Sequence, residues 1–512
     1  MSTSMMARAM AWVRATLKSP GPRRSMVIAG FTVVMGPVAL ALVLPSEAVP
    51  TSAVPEVQPV LTTTFVCPDF RGAARVARTS ITAVVPQGLA QGLPKAGRAQ
   101  LVLPTRRGRP KVLGQVTRPG GGLVLAAART AEGPVVGAAS GWLAPGFSAS
   151  QITTQFSGVD RGLAGVDCAD VTSEAWFVGG GAASGQRTFL ILVNPERTAA
   201  TADVEFFGMD GPLDAPGGRG IVVPSKGARI VAVDSLVPGI GTLVIHVTAS
   251  VGRLAMAVRT TDRRGSEPLG TDFVPVAEAP AQRLVVPALP KGTGARALLV
   301  VNPGNDDAQI RLKVIGRSGS FAPAGANSFT VRAGSVRVVL LSDIIDSENV
   351  GLLLESDQKV TAGVRVRFRG SRRGQAAEYG WSAAVAPVTT TAVEPSSRVG
   401  EGYNAQLLLS CPQGECRVRV RYGPPGRRWK QRDLTIASGI TITVPLAGRG
   451  DRGLRSLTVQ PLPGSAPVYA GRVQTGRSPN GVLLTIAPLR DARISVGVPP
   501  AQPDASVVIP QG

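Results

Sequence analysis

The chain has 512 residues, a net charge of +22 and 44% apolar residues, so it is too long for one core and too apolar to be disordered outside its termini. Gly 61 and Pro 42 beside only 4% aromatic residues describe short strands broken by turns. One histidine, no Gly-x-Ser-x-Gly and no phosphate-loop ending to any glycine-rich stretch argue against acid–base, triad and nucleotide chemistry.

Residues 1–24 form a cytoplasmic basic segment holding Arg8, Arg14, Lys18, Arg23 and Arg24, with no acid before Glu47. Residues 25–45 are free of charge and long enough to cross the hydrocarbon, which predicts a single transmembrane signal-anchor helix with everything beyond it extracytoplasmic. The alternative is secretion after cleavage near Ala48, at Ser46-Glu47-Ala48. Both readings export the bulk of the chain. Residues 46–60 read as a stalk.

The body repeats. Leu190-Ile191-Leu192-Val193-Asn194-Pro195 recurs 108 residues later as Leu298-Leu299-Val300-Val301-Asn302-Pro303, and the offset also sets Val258-Arg259 against Val366-Arg367. A third copy opens at Leu407-Leu408-Leu409-Ser410-Cys411-Pro412, with cysteine where asparagine stood. A degenerate copy opens at Phe65-Val66-Cys67-Pro68. Turns such as Met209-Asp210-Gly211-Pro212 separate short alternating strands. The expected fold is therefore all-β, a string of tandem immunoglobulin-like β-sandwich units behind the membrane helix. The units span residues 61–147 (degenerate), 148–276, 277–388 and 389–497, and 498–512 is a disordered tail.

Cys67, Cys168, Cys411 and Cys416 are an even set in an exported chain, where thiols oxidise. Cys411 and Cys416 flank a Pro-Gln-Gly-Glu turn and are expected to bridge locally, which leaves Cys67 and Cys168 to pair. With one histidine in the chain, no metal or cofactor is expected.

Two strands concentrate positive charge. Val364, Val366 and Phe368 alternate with Arg365, Arg367 and Arg369, followed by Arg372 and Arg373. Cys416, Val418, Val420 and Tyr422 alternate with Arg417, Arg419 and Arg421, followed by Arg427, Arg428, Lys430 and Arg432. These are the candidate contacts for an anionic wall polymer or lipid head group, against the plainer reading of charged edges that deter strand addition. A nucleic-acid partner is excluded by the export signal and the scarcity of stacking aromatics. His246 lies mid-strand and reads as a sheet position. Gly179 to Gly185, Gly292-Thr293-Gly294, Gly304-Asn305-Asp306-Asp307 and Arg449-Gly450-Asp451 read as turns or loops.

Trp176-Phe177-Val178-Gly179-Gly180-Gly181, Asn194-Pro195, Asp210-Gly211 and Pro216-Gly217-Gly218-Arg219-Gly220-Ile221-Val222-Val223-Pro224, with Cys67-Pro68 and Cys168, resemble a family of actinobacterial membrane-anchored, extracytoplasmic proteins catalogued as a domain of unknown function. The resemblance covers most of the ectodomain, implies a Gram-positive envelope and brings no catalytic residues. The expectation is a non-catalytic envelope binding or scaffold protein. The alternatives are an accessory subunit that docks a membrane glycosyltransferase or export machine through a loop at Trp176 and Phe177, and a wall hydrolase with a carboxylate pair.

Overall fold

Strand formation follows the period-two pattern closely. In strand Ala308–Ile315, Ala308, Ile310, Leu312 and Val314 are buried while Gln309, Arg311 and Lys313 are exposed. The computed structural model describes residues 56–68, 77–105, 108–126, 133–342, 345–370, 374–448 and 450–498. The basic segment 1–24, the expected membrane helix 25–45, most of the stalk, the tail after residue 498, and Arg372, Arg373 and Arg449 lie outside the described residues. Among the described residues the regular structure is strand with three short 3-10 turns, and no helix is long and apolar enough to cross a membrane.

The strands assemble into sheets that face one another in pairs, an all-β, sandwich-like architecture repeated four times along the chain. In the first pair, Thr62–Cys67 lies between Ala169–Asp170 and Val135–Ser140 in one sheet, and the other runs in the order Gly122–Ala126, Arg78–Val84, Ser148–Gln155, Gly162–Asp167. The second pair repeats this four-stranded sheet with Gly227–Ala232, Gln186–Asn194, Ala255–Arg264 and Glu267–Val274. In the third, strand Val350–Phe368 serves both sheets. Its first part pairs with Ala308–Ile315 and Ala281–Leu289, and its second part with Arg296–Val301 and Glu378–Ala383. The fourth has Ile440–Pro445, Tyr403–Cys411, Tyr469–Ser478 and Gly481–Pro488 in one sheet, and Ala392–Val399, Gly453–Pro461, Cys416–Gly423 and Lys430–Ile436 in the other. The first and fourth sandwiches have separate apolar cores, whereas the core of the second takes in Tyr379 and Trp381 of the third, and that of the third takes in Leu484 and Ile486 of the fourth.

Two details of the repeat change with the structure. The strand equivalent to Gln186–Asn194 in the first sandwich is Arg78–Val84, which runs into Val85-Pro86. Thr62–Cys67 belongs to the opposite sheet, so Cys67-Pro68 is not the repeat's turn. By strand register, Leu190 faces Val258 and Leu298 faces Val364, so Val258-Arg259 corresponds to Val364-Arg365.

The sandwiches are not a string. Each four-stranded sheet ends on an edge strand, and these four closing strands pack in a ring: Gly162–Asp167 against Glu267–Val274, that against Glu378–Ala383, that against Gly481–Pro488, and the last back against the first. Residues 58–496 thereby form one compact unit. Both cysteine pairs bridge as the sequence suggests, Cys67 to Cys168 and Cys411 to Cys416. The first also fastens the chain after the first closing strand to strand Thr62–Cys67, which pairs with Ala169 and Asp170.

Candidate functional site

An edge strand buried in a ring leaves backbone N–H groups facing inward, and each must find an acceptor. Carboxylates supply them. Glu378 accepts from Leu163 N at 3.1 Å and Thr271 N at 3.0 Å, so one side chain of the third sandwich closes the edges of the first and second. Asp272 accepts from Gly165 N at 3.0 Å and from the Thr485 hydroxyl at 3.0 Å. Arg161 reaches across to the carbonyls of Ala377 and Val482, and lies 4.0 Å from Glu378. Arg472 lies 3.3 Å from Glu394.

Burial dominates the titration of this centre. It raises Asp272 to about 8 despite its hydrogen bonds, and it pushes Glu378 well above the usual carboxylate range, with Arg161 opposing. The guanidinium of Arg161 spends hydrogen bonds on carbonyls and stands too far off to offset the lost hydration. The centre is closed to solvent and reads as a structural tie.

A cavity of about 380 Å³ opens beside this ring where the first, second and fourth sandwiches meet. Phe65 and Phe147 come from the first sandwich, Phe177 and Phe273 from the second, and Pro395 and Pro488 from the fourth. Its charged groups are Asp167, Asp170, Glu174, Arg490, Asp491 and Arg493. Asp167 shows its surface to the cavity yet is enclosed by three sandwiches. Enclosure and then the neighbouring Glu394 push its carboxyl well above the usual range, against Arg472 and Arg490. Asp170 is half exposed, yet the protein around it raises its carboxyl by desolvation despite Arg493 at 3.0 Å, and desolvation likewise lowers Arg490. None of these residues stands out in the sequence. The available signal is an acid inside an otherwise buried strand, as at Asp272 in Gly270-Thr271-Asp272-Phe273-Val274.

The basic residues divide. Arg365 is half-buried, pairs with Asp262 and lies 4.4 Å from the Tyr379 ring centroid and 5.6 Å from that of Trp381, so it belongs to the packing between sandwiches and not to a contact face. Its counterpart Arg259 is buried over Phe273. Arg367 and Arg369 line a small recess with Glu267. By contrast, strand Cys416–Gly423 alternates as expected, with Cys416, Val418, Val420 and Tyr422 buried. Arg419 pairs with Asp433 at 2.6 Å, Arg417 donates to the Pro463 carbonyl, Arg421 donates to Gln431 and Arg432 lies over Tyr422. Among the described residues Arg417, Arg421, Arg427, Arg428, Lys430 and Arg432 have no acidic side chain at ion-pair distance.

Trp176 and Phe177 do not form a docking loop. They lie in strand Glu174–Val178, 5% and 0% exposed, because that strand is sandwiched between Val244–Val251 and Val276–Ala277. Trp176 stacks on His246 at 3.9 Å, and the His246 nitrogens stand 3.0 Å from Glu174 and Glu205. Asp451 turns back to accept from Gly448 N, as a turn residue does. Among the described residues no cluster of histidine, cysteine or acidic side chains is arranged to hold a metal ion.

Comparison with known proteins adds a family and little else. The solved structure of Thermotoga maritima 1070 is similar at 14% identity and a TM-score of 0.18, over 21% of this chain and 94% of that one. An alpha-L-rhamnosidase of Streptomyces avermitilis, solved with L-rhamnose, is similar at 11% identity and a TM-score of 0.12, over 76% of this chain and 54% of that one. TM-scores this low say nothing about fold or activity. No curated protein matches the sequence. The model of a family of unknown function, DUF5719, matches residues 124–447, more than half of the chain and parts of all four sandwiches, and the chain belongs to that family.

Proposed function

We propose that the chain is a non-catalytic, extracytoplasmic cell-envelope binding protein, built as four immunoglobulin-like units behind a single membrane helix at residues 25–45. Its ligands are anionic wall polymers or lipid head groups. The observation that carries this reading is the cluster of six cations without acidic partners on the fourth sandwich: Arg417 and Arg421 on the outer face of strand Cys416–Gly423, Arg427 and Arg428 in the turn that follows, and Lys430 and Arg432 on the edge strand opposite Tyr422 and Val420. Positive charge in excess along one sheet edge attracts a polyanion at range and holds it through several weak contacts.

The rest of the fold supports it. A Cβ on Gly88 would lie 3.8 Å from the Arg421 guanidinium and one on Gly122 2.7 Å from Pro425, so the basic face is seated on the first sandwich. The turn there carries exposed Arg118 and extends the positive surface across the boundary. Two disulfides are consistent with an oxidising compartment. Because Lys430–Ile436 is an edge strand, the same charges also deter strand addition.

Retention on isolated cell wall, measured across a salt series, tests the proposal. Arg417→Gln, Arg421→Gln, Arg428→Gln and Lys430→Gln combined are expected to lower retention roughly tenfold at low salt and to flatten its salt dependence. Unchanged, salt-independent retention would overturn it.

A further inference from the structure

We propose that the cavity where the first, second and fourth sandwiches meet binds a small neutral sugar, gripped by both the backbone and the side chain of Asp167. Strand Gly162–Asp167 is a sheet edge, and its hydrogen bonds fix which N–H groups face away from its own sheet. Cys168 N donates to Ala149 O at 2.8 Å, so the N–H groups at 164 and 166 also face the sheet while those of Leu163, Gly165 and Asp167 face outward. Glu378 closes the first and Asp272 the second. The third, Asp167 N, faces the same way without a hydrogen bond among the described residues, and Asp167 lines the cavity.

The Asp167 carboxyl likewise has no hydrogen-bonded or ion-paired partner among the described residues, and it lines the same cavity. One residue thus offers a donor and an acceptor side by side, both unspent. Adjacent hydroxyls of a sugar ring complement that pair, because each hydroxyl donates and accepts.

The remaining charges favour a neutral ligand. Arg493 is paired with Asp170 at 3.0 Å, and Asp491 accepts from Thr389 N at 2.9 Å and Thr390 N at 3.0 Å and from the Thr389 hydroxyl. Arg490 donates to the Val276 carbonyl, and Glu174 accepts from Trp176 Nε1 at 2.9 Å and stands 3.0 Å from His246 Nε2. Val166, Val276 and Ala492, half-buried in its lining, supply apolar wall for the C–H face of a ring, and about 380 Å³ is a small-ligand volume.

Saturation-transfer NMR on the purified full-length chain tests this with glucose, N-acetylglucosamine and maltose as probes, and with acetate and putrescine as the charged alternatives. At least one sugar is expected to receive transfer. Ala492→Phe, which fills the cavity, is expected to abolish it. Asp167→Ala is expected to weaken it roughly tenfold, and Asp167→Asn, which keeps a donor and an acceptor, to restore it. Near-UV circular dichroism checks that each variant is folded, and the Ala/Asn contrast decides the matter should Ala492→Phe fail to fold. Transfer to none of the sugars, transfer unaffected by Asp167→Ala, or transfer only to acetate or putrescine would overturn the proposal. These positions lie outside the basic face, so wall retention stays at the wild-type level in all three variants.

Discussion

Asn194 and Asn302, 108 residues apart, make the same three hydrogen bonds. Asn194 Nδ2 donates to Thr198 O at 2.8 Å and Val223 O at 3.2 Å while its Oδ1 accepts from Glu196 N at 2.9 Å. Asn302 Nδ2 donates to Asp306 O at 2.7 Å and Val331 O at 3.2 Å while its Oδ1 accepts from Gly304 N at 3.0 Å. Both are buried, and every partner lies at the same offset. In the fourth sandwich Cys411 takes this place at a strand end, and its disulfide to Cys416 ties the turn that the amide ties elsewhere.

Removing either amide strands a carbonyl and an N–H of the turn and a second carbonyl on the strand end packed against it. Asn194→Ala and Asn302→Ala are each expected to cost about 2 kcal/mol of stability. Urea denaturation checks this, and a loss below about 0.5 kcal/mol would show that the turn holds without the amide.

The ring of closing strands makes stability depend on pH. Asp272 titrates near 8 in the folded protein and in the ordinary carboxylate range when unfolded, so between these values the folded state holds a proton that the unfolded state lacks. Stability is therefore expected to fall as pH rises from about 4 to about 8 and to level off above that. Glu378, raised in the same sense, adds to the fall. Asp272→Asn keeps an oxygen for Gly165 N and is expected to flatten the profile in chemical denaturation between pH values of about 5 and 9. An unchanged slope would remove Asp272 as its source.

Gly270 lets the second and third closing strands meet. A Cβ there would lie 2.6 Å from Glu378 Oε1 and 2.8 Å from Tyr379 N, at a backbone φ of +135°. Gly270→Ala is expected to cost about 3 kcal/mol or more, from strain and from displacing the carboxylate that closes two strand edges. A variant with an unaltered unfolding midpoint would show that the interface has room to give.

The two disulfides differ in the chain they close. Cys67–Cys168 spans a sequence separation of 101, and Cys411–Cys416 one of 5. Loop entropy then gives the first about 5 kcal/mol and the second about 2 kcal/mol. Cys67→Ser with Cys168→Ser is expected to destabilise the protein more than Cys411→Ser with Cys416→Ser, as read from denaturation midpoints. The reverse order would place the stabilisation in the tight turn.

Sequence by itself determined what depends on neighbours along the chain. Alternation in Ala308–Ile315 and Cys416–Gly423 states which side chains are buried, because the strand repeat is two residues whatever the strand packs against. The Asn-Pro recurrence locates the repeat, because two of the amide's three bonds stay within four residues of it. Tertiary structure alone decided the ring of closing strands, the ion pairs at its centre and the cavity beside it. Glu378 answers N–H groups on strands of two other sandwiches, and Asp167 acquires its setting only when chain more than 200 residues distant folds over it. Trp176 and Phe177 show the same limit from the other side. Before Gly179-Gly180-Gly181 they read as a loop, and only pairing with Val244–Val251 makes them a buried strand. The energy of such contacts lies in partners that no local pattern specifies.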